Sequence, residues 1–108
     1  MELSQINISN VRVAAYERAD GRVARLPQLL IDRLKLWNPN LDESQLKVIA
    51  FQYEIWTDGS LGAPMPGECY TQALVPGFRI VLELGNERFE VHTNYDQNIF
   101  AIPGYGFI

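Results

Sequence analysis

The sequence predicts an α+β fold of two layers, with one main helix packed on an antiparallel meander of four to five strands. Three stretches carry that prediction. An apolar stripe at helical spacing follows Pro27, and "QLKVIAFQYEIW" alternates in polarity. The third, "FRIVLELGNERFEVHT", is two alternating runs about a Gly-Asn pair.

Residues 1–9 are polar and are expected to fray. Next comes "VRVAAYERADGRVARLP", centred on Asp20-Gly21, a pair suited to a type I′ turn because both positions tolerate positive φ. It predicts an N-terminal hairpin within residues 11–26, with strands over 11–18 and 22–26. A competing reading is one helix through Arg22–Trp37, since Val23, Leu26, Leu30, Leu34 and Trp37 share a helical stripe. Pro27 would break such a helix at its interior but suits a first helical position. The helix is therefore set at 27–37, ending before "NPN".

The sheet is expected over 45–102. In its first strand Ile49, Phe51, Tyr53 and Ile55 share one face, with Val48, Ala50, Gln52 and Glu54 on the other. A two-residue turn at Gly85-Asn86 sets Leu84 opposite Glu87, Leu82 opposite Phe89, Ile80 opposite Val91 and Phe78 opposite Thr93. On the other face it pairs Glu83 with Arg88 and Arg79 with His92, which predicts a solvated, charged surface there. After "NYDQN" a last strand is expected around Ile99–Ile102. The predicted core is Leu30, Leu34, Trp37, Ile49, Phe51, Ile55, Phe78, Ile80, Leu82, Phe89 and Val91.

Composition narrows the function. With 108 residues, 47% apolar and 20% charged, the chain matches one ordinary globular domain rather than a disordered segment. No apolar run approaches the ~20 residues of a membrane-spanning helix. "MELSQINISN" has neither a basic region nor an apolar core, so no signal peptide is expected and the cytoplasm is the expected location. The lone Cys69 cannot form an internal disulfide, which fits a reducing compartment. Net charge is −4, and residues 48–108 carry only Arg79 and Arg88 against seven acids. Nucleic-acid binding needs a basic face, and none is evident. The small cluster Arg12, Arg18, Arg22 and Arg25 reads as a solvated face, with a phosphate or acidic partner as the alternative.

The stretch between the first two sheet strands, Trp56–Gln72, is "WTDGSLGAPMPGECYTQ". Asp58-Gly59 and Ser60 suit a tight turn, and Gly62 and Gly67 permit backbone angles closed to other residues. Pro64 and Pro66 stiffen the loop. With the strand that follows, the stretch resembles a motif of small, mostly uncharacterised bacterial domains, cyanobacterial ones among them. Their usual form is W-P-D-x-S-L-G-C-P-x-P-G-x-x-Y-x-Q-V-x-x-P-G-Y-R-I-V-L, followed by Y-x-x-H-T. The likeness spans about Val48–Thr93 and implies an architecture without implying an activity. Thr57 stands where proline is usual and Ala63 where cysteine is usual, so no thiol role carries over to this chain.

Two readings of the loop follow. In one it is a structural corner, with Leu61 packed inward and Trp56 lidding the core. In the other it is a preorganised docking tip for a partner protein, presented by Trp56, Asp58, Leu61, Pro64, Met65, Pro66 and Tyr70. The rival enzyme reading pairs Cys69 with His92 as nucleophile and base. Asp58 or Glu90 would orient the base, and Gly59, Gly62 and Gly67 would supply backbone donors. A metal site would have to draw on Asp58, Glu68, Cys69 and His92 without any short ligand spacing, so no metal or other cofactor is expected. No Gly-rich phosphate loop opens a helix. In shape, a helix on a meander is also similar to cystatin-like inhibitors. Gln72–Gly77 ("QALVPG") would stand for their Q-x-V-x-G hairpin, but it is one residue longer, and their N-terminal glycine segment has no counterpart.

The end, "IFAIPGYGFI", has no charged side chain. Pro103 and Gly104 should stop the final strand, leaving Tyr105, Phe107 and Ile108 beyond it. Such a tail either folds back on its own domain or, through residues 103–108, docks a second copy as a weak homodimer.

Overall fold

The computed structural model describes residues 14–108. They form one α-helix, a two-stranded hairpin and a five-stranded antiparallel sheet, an α+β arrangement dominated by the sheet. The hairpin is β1 (Ala15–Glu17) with β2 (Val23–Arg25), shorter than expected, and its predicted start at 11–13 lies outside the described residues. Arg18 N–H donates to the Arg22 carbonyl and Gly21 N–H to that of Arg18, which closes a three-residue loop. Only Gly21 takes a left-handed φ, +82°, and Asp20 does not. The turn is therefore a type I turn followed by a left-handed glycine, one residue longer than the expected type I′ turn. Asp20 accepts from Arg22 N–H at 3.1 Å, which holds that geometry.

Helix α1 runs Gln28–Trp37, and β2 excludes the longer helix from Arg22. Pro27 lies just outside the helix, and its carbonyl accepts from Leu30 and Ile31 N–H. Leu30, Ile31 and Leu34 are fully buried and Trp37 partly so. A single 3-10 turn at Glu43–Gln45, capped by Asp42, then leads into the sheet.

The sheet order is β3 (Leu46–Trp56), β4 (Val75–Leu84), β5 (Glu87–Asn94), β6 (Phe100–Ile102) and β7 (Gly106–Phe107). Every expected β4–β5 pair is present, from Leu84–Glu87 to Phe78–Thr93 and including Glu83–Arg88 and Arg79–His92. Gly85, at φ +61°, takes the first turn position, where a type II′ turn requires glycine.

The first strand differs. A β-bulge lies between Val48 and Ala50: Val48 faces Leu82, whereas Phe51 faces Ile80. Leu46 and Val48 thus share the apolar face with Phe51, and Ile49, expected in the core, is the extra residue and is 42% exposed. Ile55 is 54% exposed because its end of the ladder runs past β5, whose last residue, Asn94, pairs with Gly77. One core cluster joins Leu26, Leu30, Ile31 and Leu34 to Leu41, Leu46, Ile80, Leu82, Val91, Phe100 and Ile102.

The C-terminal segment turns back and forms a fifth strand that the sequence did not signal. Tyr105 N–H donates to the Ile102 carbonyl, Gly106 takes φ +83°, and Ile108 N–H reaches the Phe100 carbonyl. Tyr105 meets Trp37 edge-on at 5.3 Å, and Arg33 donates to the Ile108 backbone oxygen at 2.8 Å.

Truncation of Ile80, fully buried at mid-sheet, to Ala should cost about 2–5 kcal/mol, whereas Ile49→Ala at the bulge should cost under about 1 kcal/mol. Urea unfolding of the two variants measures both. Equal losses would mean that the bulge is absent and Ile49 is a core residue.

Candidate functional site

The loop after Trp56 folds across the polar face of the sheet and covers part of it. Trp56 closes β3, is 8% exposed, and donates its indole N–H to the Thr93 carbonyl at 2.9 Å. Its ring stacks on His92, with centroids 4.4 Å apart and planes inclined by 18°. His92 therefore lies on the expected face beside Arg79, but is buried rather than solvated. The strand pattern assigned its face correctly and carried no signal for the loop that covers it.

Both ring nitrogens of His92 are engaged. Nδ1 lies 2.6 Å from the Leu61 carbonyl, which can only accept, so Nδ1 carries the proton. Nε2 lies 2.9 Å from the Glu90 carboxylate. Glu90 also stands 3.6 Å from Arg79, whose guanidinium donates to Gln52 at 2.8 Å and lies 3.7 Å from Glu54. A charged lattice over β3, β4 and β5 thus sits behind the imidazole.

The loop is braced internally as well. Leu61, at φ +57° and 2% exposed, turns inward, with Ser60 and Ala63 buried beside it. Asp58 accepts from both the hydroxyl and the amide of Ser60, an Asx turn. These two bonds, the hydroxyl's first, hold the Asp58 carboxyl below the usual carboxylate range. Gly59 N–H donates to the Thr71 carbonyl, tying the two limbs of the loop together. Further out, Met65 N–H donates to the Tyr70 hydroxyl at 2.9 Å, and Tyr70 meets Phe107 of β7.

The expected contact residues therefore divide. Trp56 and Leu61 are inside, Asp58, Met65 and Tyr70 are half-buried, and Pro64 and Pro66 are exposed. Leu74, not singled out from the sequence, is 70% exposed at the end of the loop. Cys69 is exposed, and the hydrogen-bond partners of His92 are Leu61 and Glu90 rather than Cys69. Among the described residues, no group of three His, Cys, Asp or Glu side chains could hold a metal ion. Arg18 and Arg22 both pair with Asp20, and Arg12 lies outside the described residues. No helix among the described residues is long and apolar enough to cross a membrane.

A small domain in which a stiff loop is clamped to an antiparallel sheet is the class these features define. Residues 28–102, from the first residue of α1 to the last of β6, match the family model of a domain of unknown function, DUF8738. The chain belongs to that family, and the β1–β2 hairpin and β7 lie outside the matched segment. Neither a curated protein nor a solved structure matches the chain.

Two measurements probe the clamp. Support from Asp58 is complete above its unfolded-state titration and lost as pH falls through the lowered folded-state value, because its folded carboxyl is depressed. Ser60→Ala should move the Asp58 midpoint upward in a carboxyl NMR titration, and an unmoved midpoint would remove Ser60 as the cause. Gly62 and Gly67 both hold left-handed φ, but a Cβ at Gly62 would lie 2.8 Å from the Trp56 ring, whereas at Gly67 it meets nothing. Gly67→Ala should cost about 1–2 kcal/mol of backbone strain, and Gly62→Ala should cost more and shift the tryptophan fluorescence.

Proposed function

We propose that the domain is a non-catalytic protein-binding module, built as two layers, that docks through the outer part of the loop between β3 and β4. One observation carries the reading: the loop is fixed from beneath by the Trp56–His92–Leu61 clamp, so Pro64, Pro66 and Leu74 are displayed on a braced support. A partner would then pay little ordering entropy. The Cys–His alternative draws less support. To serve Cys69, His92 would have to give up Leu61, which opens the clamp, or Glu90, which breaks its tie to the Arg79 lattice. The resemblance of the loop motif to those of small bacterial domains favours a bacterial setting for this binding, and the lone Cys69 fits the reducing cytoplasm.

Exposed Cys69 supplies the test. Labelled there with a photo-crosslinker, the folded protein should capture one partner from native lysate. Excess unlabelled protein should compete, and Leu74→Ser should reduce capture several-fold without changing the melting temperature. Capture that Leu74→Ser leaves unchanged would remove the outer loop as the docking element. Alkylation of Cys69 by iodoacetamide much faster than that of a free thiol would favour the enzyme reading instead.

A further inference from the structure

We propose that the open half of the β5 edge binds an extended peptide segment of a partner protein. The peptide adds a short strand beside Glu87–Glu90. It seats an apolar side chain against Phe89 and, two residues later, a basic one against Glu87. The residues lining this site lie outside the β3–β4 loop, so it is separate from the docking element proposed there.

The edge is open for a covalent reason. Strand β6 pairs with β5 at His92–Ala101 and Thr93–Phe100 and ends at Ile102. Two residues past His92, the same register would set Glu90 against Pro103, which has no N–H to donate. The chain turns back there, with Tyr105 N–H donating to the Ile102 carbonyl. Asn94 N–H reaches the Ile99 carbonyl on this side of β5. Alternation along an antiparallel strand turns the N–H and C=O of Glu90 and Arg88 the same way. Among the described residues, no backbone hydrogen bond joins these two residues to the β6–β7 turn. A row of backbone donors and acceptors with no strand beside it is what strand addition uses.

A cavity of about 510 Å³ lies along that row, within the usual ligand range of about 300–1,000 Å³. Trp37, Phe89 and Tyr105 line it from the helix side, and Val81 and Glu90 from the other face of the sheet. A space bordered from both faces follows the edge itself. Its helix side is aromatic, with the Trp37 ring 5.4 Å from Phe89 and 5.3 Å from Tyr105. Tyr105 is 65% exposed, which leaves ring surface free to receive an apolar side chain.

The register also defines the peptide. A strand antiparallel to β5 places one residue opposite Phe89, with its side chain on the same face, against the rings. The residue two places later falls opposite Glu87, again on that face. Glu87 is exposed and has no ion-pair partner among the described residues. Arg88, in contrast, is paired with Glu83, and Glu90 with Arg79 and His92. A lysine or arginine opposite Glu87 supplies the missing charge. A second copy of the chain fits less well. Two β5 edges paired over Arg88–Glu90 would drive the β4–β5 turn of each copy into β6 of the other.

The test uses acetyl-Thr-Leu-Thr-Lys-amide and two forms of it, each N-methylated at a single residue. In this register the second threonine donates its N–H to the Arg88 carbonyl, whereas the leucine N–H points away from β5. In amide NMR titrations of the whole chain, the parent peptide should shift Arg88 and Glu90 saturably and slow hydrogen exchange at both. The Phe89 amide, on the side already paired with Leu82, should exchange as before. Methylation at the second threonine should weaken binding about tenfold or more, and methylation at leucine should leave it unchanged. Glutamate in place of the peptide's lysine should weaken binding several-fold, and Glu87→Lys should reverse that preference. Equal binding of the two methylated peptides, shifts confined to another surface, or no saturable shift at millimolar peptide would each overturn the proposal. Slow exchange at Arg88 and Glu90 without peptide would also overturn it, and a dimer mass in light scattering would then give the edge to a second copy. The wild-type comparison decides even if Glu87→Lys does not fold.

Discussion

Position 77 has room for a hydrogen atom and nothing larger. A Cβ at Gly77 would fall 1.8 Å from the Thr93 carbonyl oxygen and 2.9 Å from the Trp56 indole nitrogen. The indole reaches that carbonyl only because β4 presents bare backbone between them. From this one gap the loop site follows in order. The docked indole offers a flat surface, His92 stacks on it, and the imidazole then holds the Leu61 carbonyl. Gly77 has ordinary backbone angles, so glycine is needed here for close approach and not for conformational freedom.

Leu61 shows how the loop accommodates that anchor. A leucine at positive φ is unfavourable, and its neighbour Gly62 is also left-handed, beneath the Trp56 ring. The strain is held by contacts on every side: the Asx turn before it, the imidazole below, and the tie between Gly59 and Thr71 across the limbs. The buried half of the loop is thus committed to the sheet, with Ser60, Leu61 and Ala63 all buried.

Local chemistry made some of this legible in the sequence. The Gly85-Asn86 turn determines which β4 and β5 residues pair, so one dipeptide gave the whole ladder and both of its faces. Pro27 placed the start of the helix within one residue. What stayed hidden depends on tertiary contact. An extra residue at Ile49 leaves no mark in an alternating pattern whose two faces are both rich in apolar residues. Strand β7 is two residues long and follows a proline turn, too short for any period to register. His92 was assigned its face but not its cover, because a loop of glycines and prolines does not announce where it will land.

The bulge in β3 has a consequence for solubility. This strand ends the sheet and is eleven residues long, with Ile49, Tyr53 and Ile55 exposed. A flat apolar strand at that position would be a template for pairing with another chain. By inserting an unpaired residue, the bulge bends the strand and breaks the even spacing of its outward amide and carbonyl groups. Lys47 stands just before the break, and charged Glu54 interrupts the apolar run after it. The irregularity that spoils the alternating pattern also works against edge-to-edge pairing of this border with another chain.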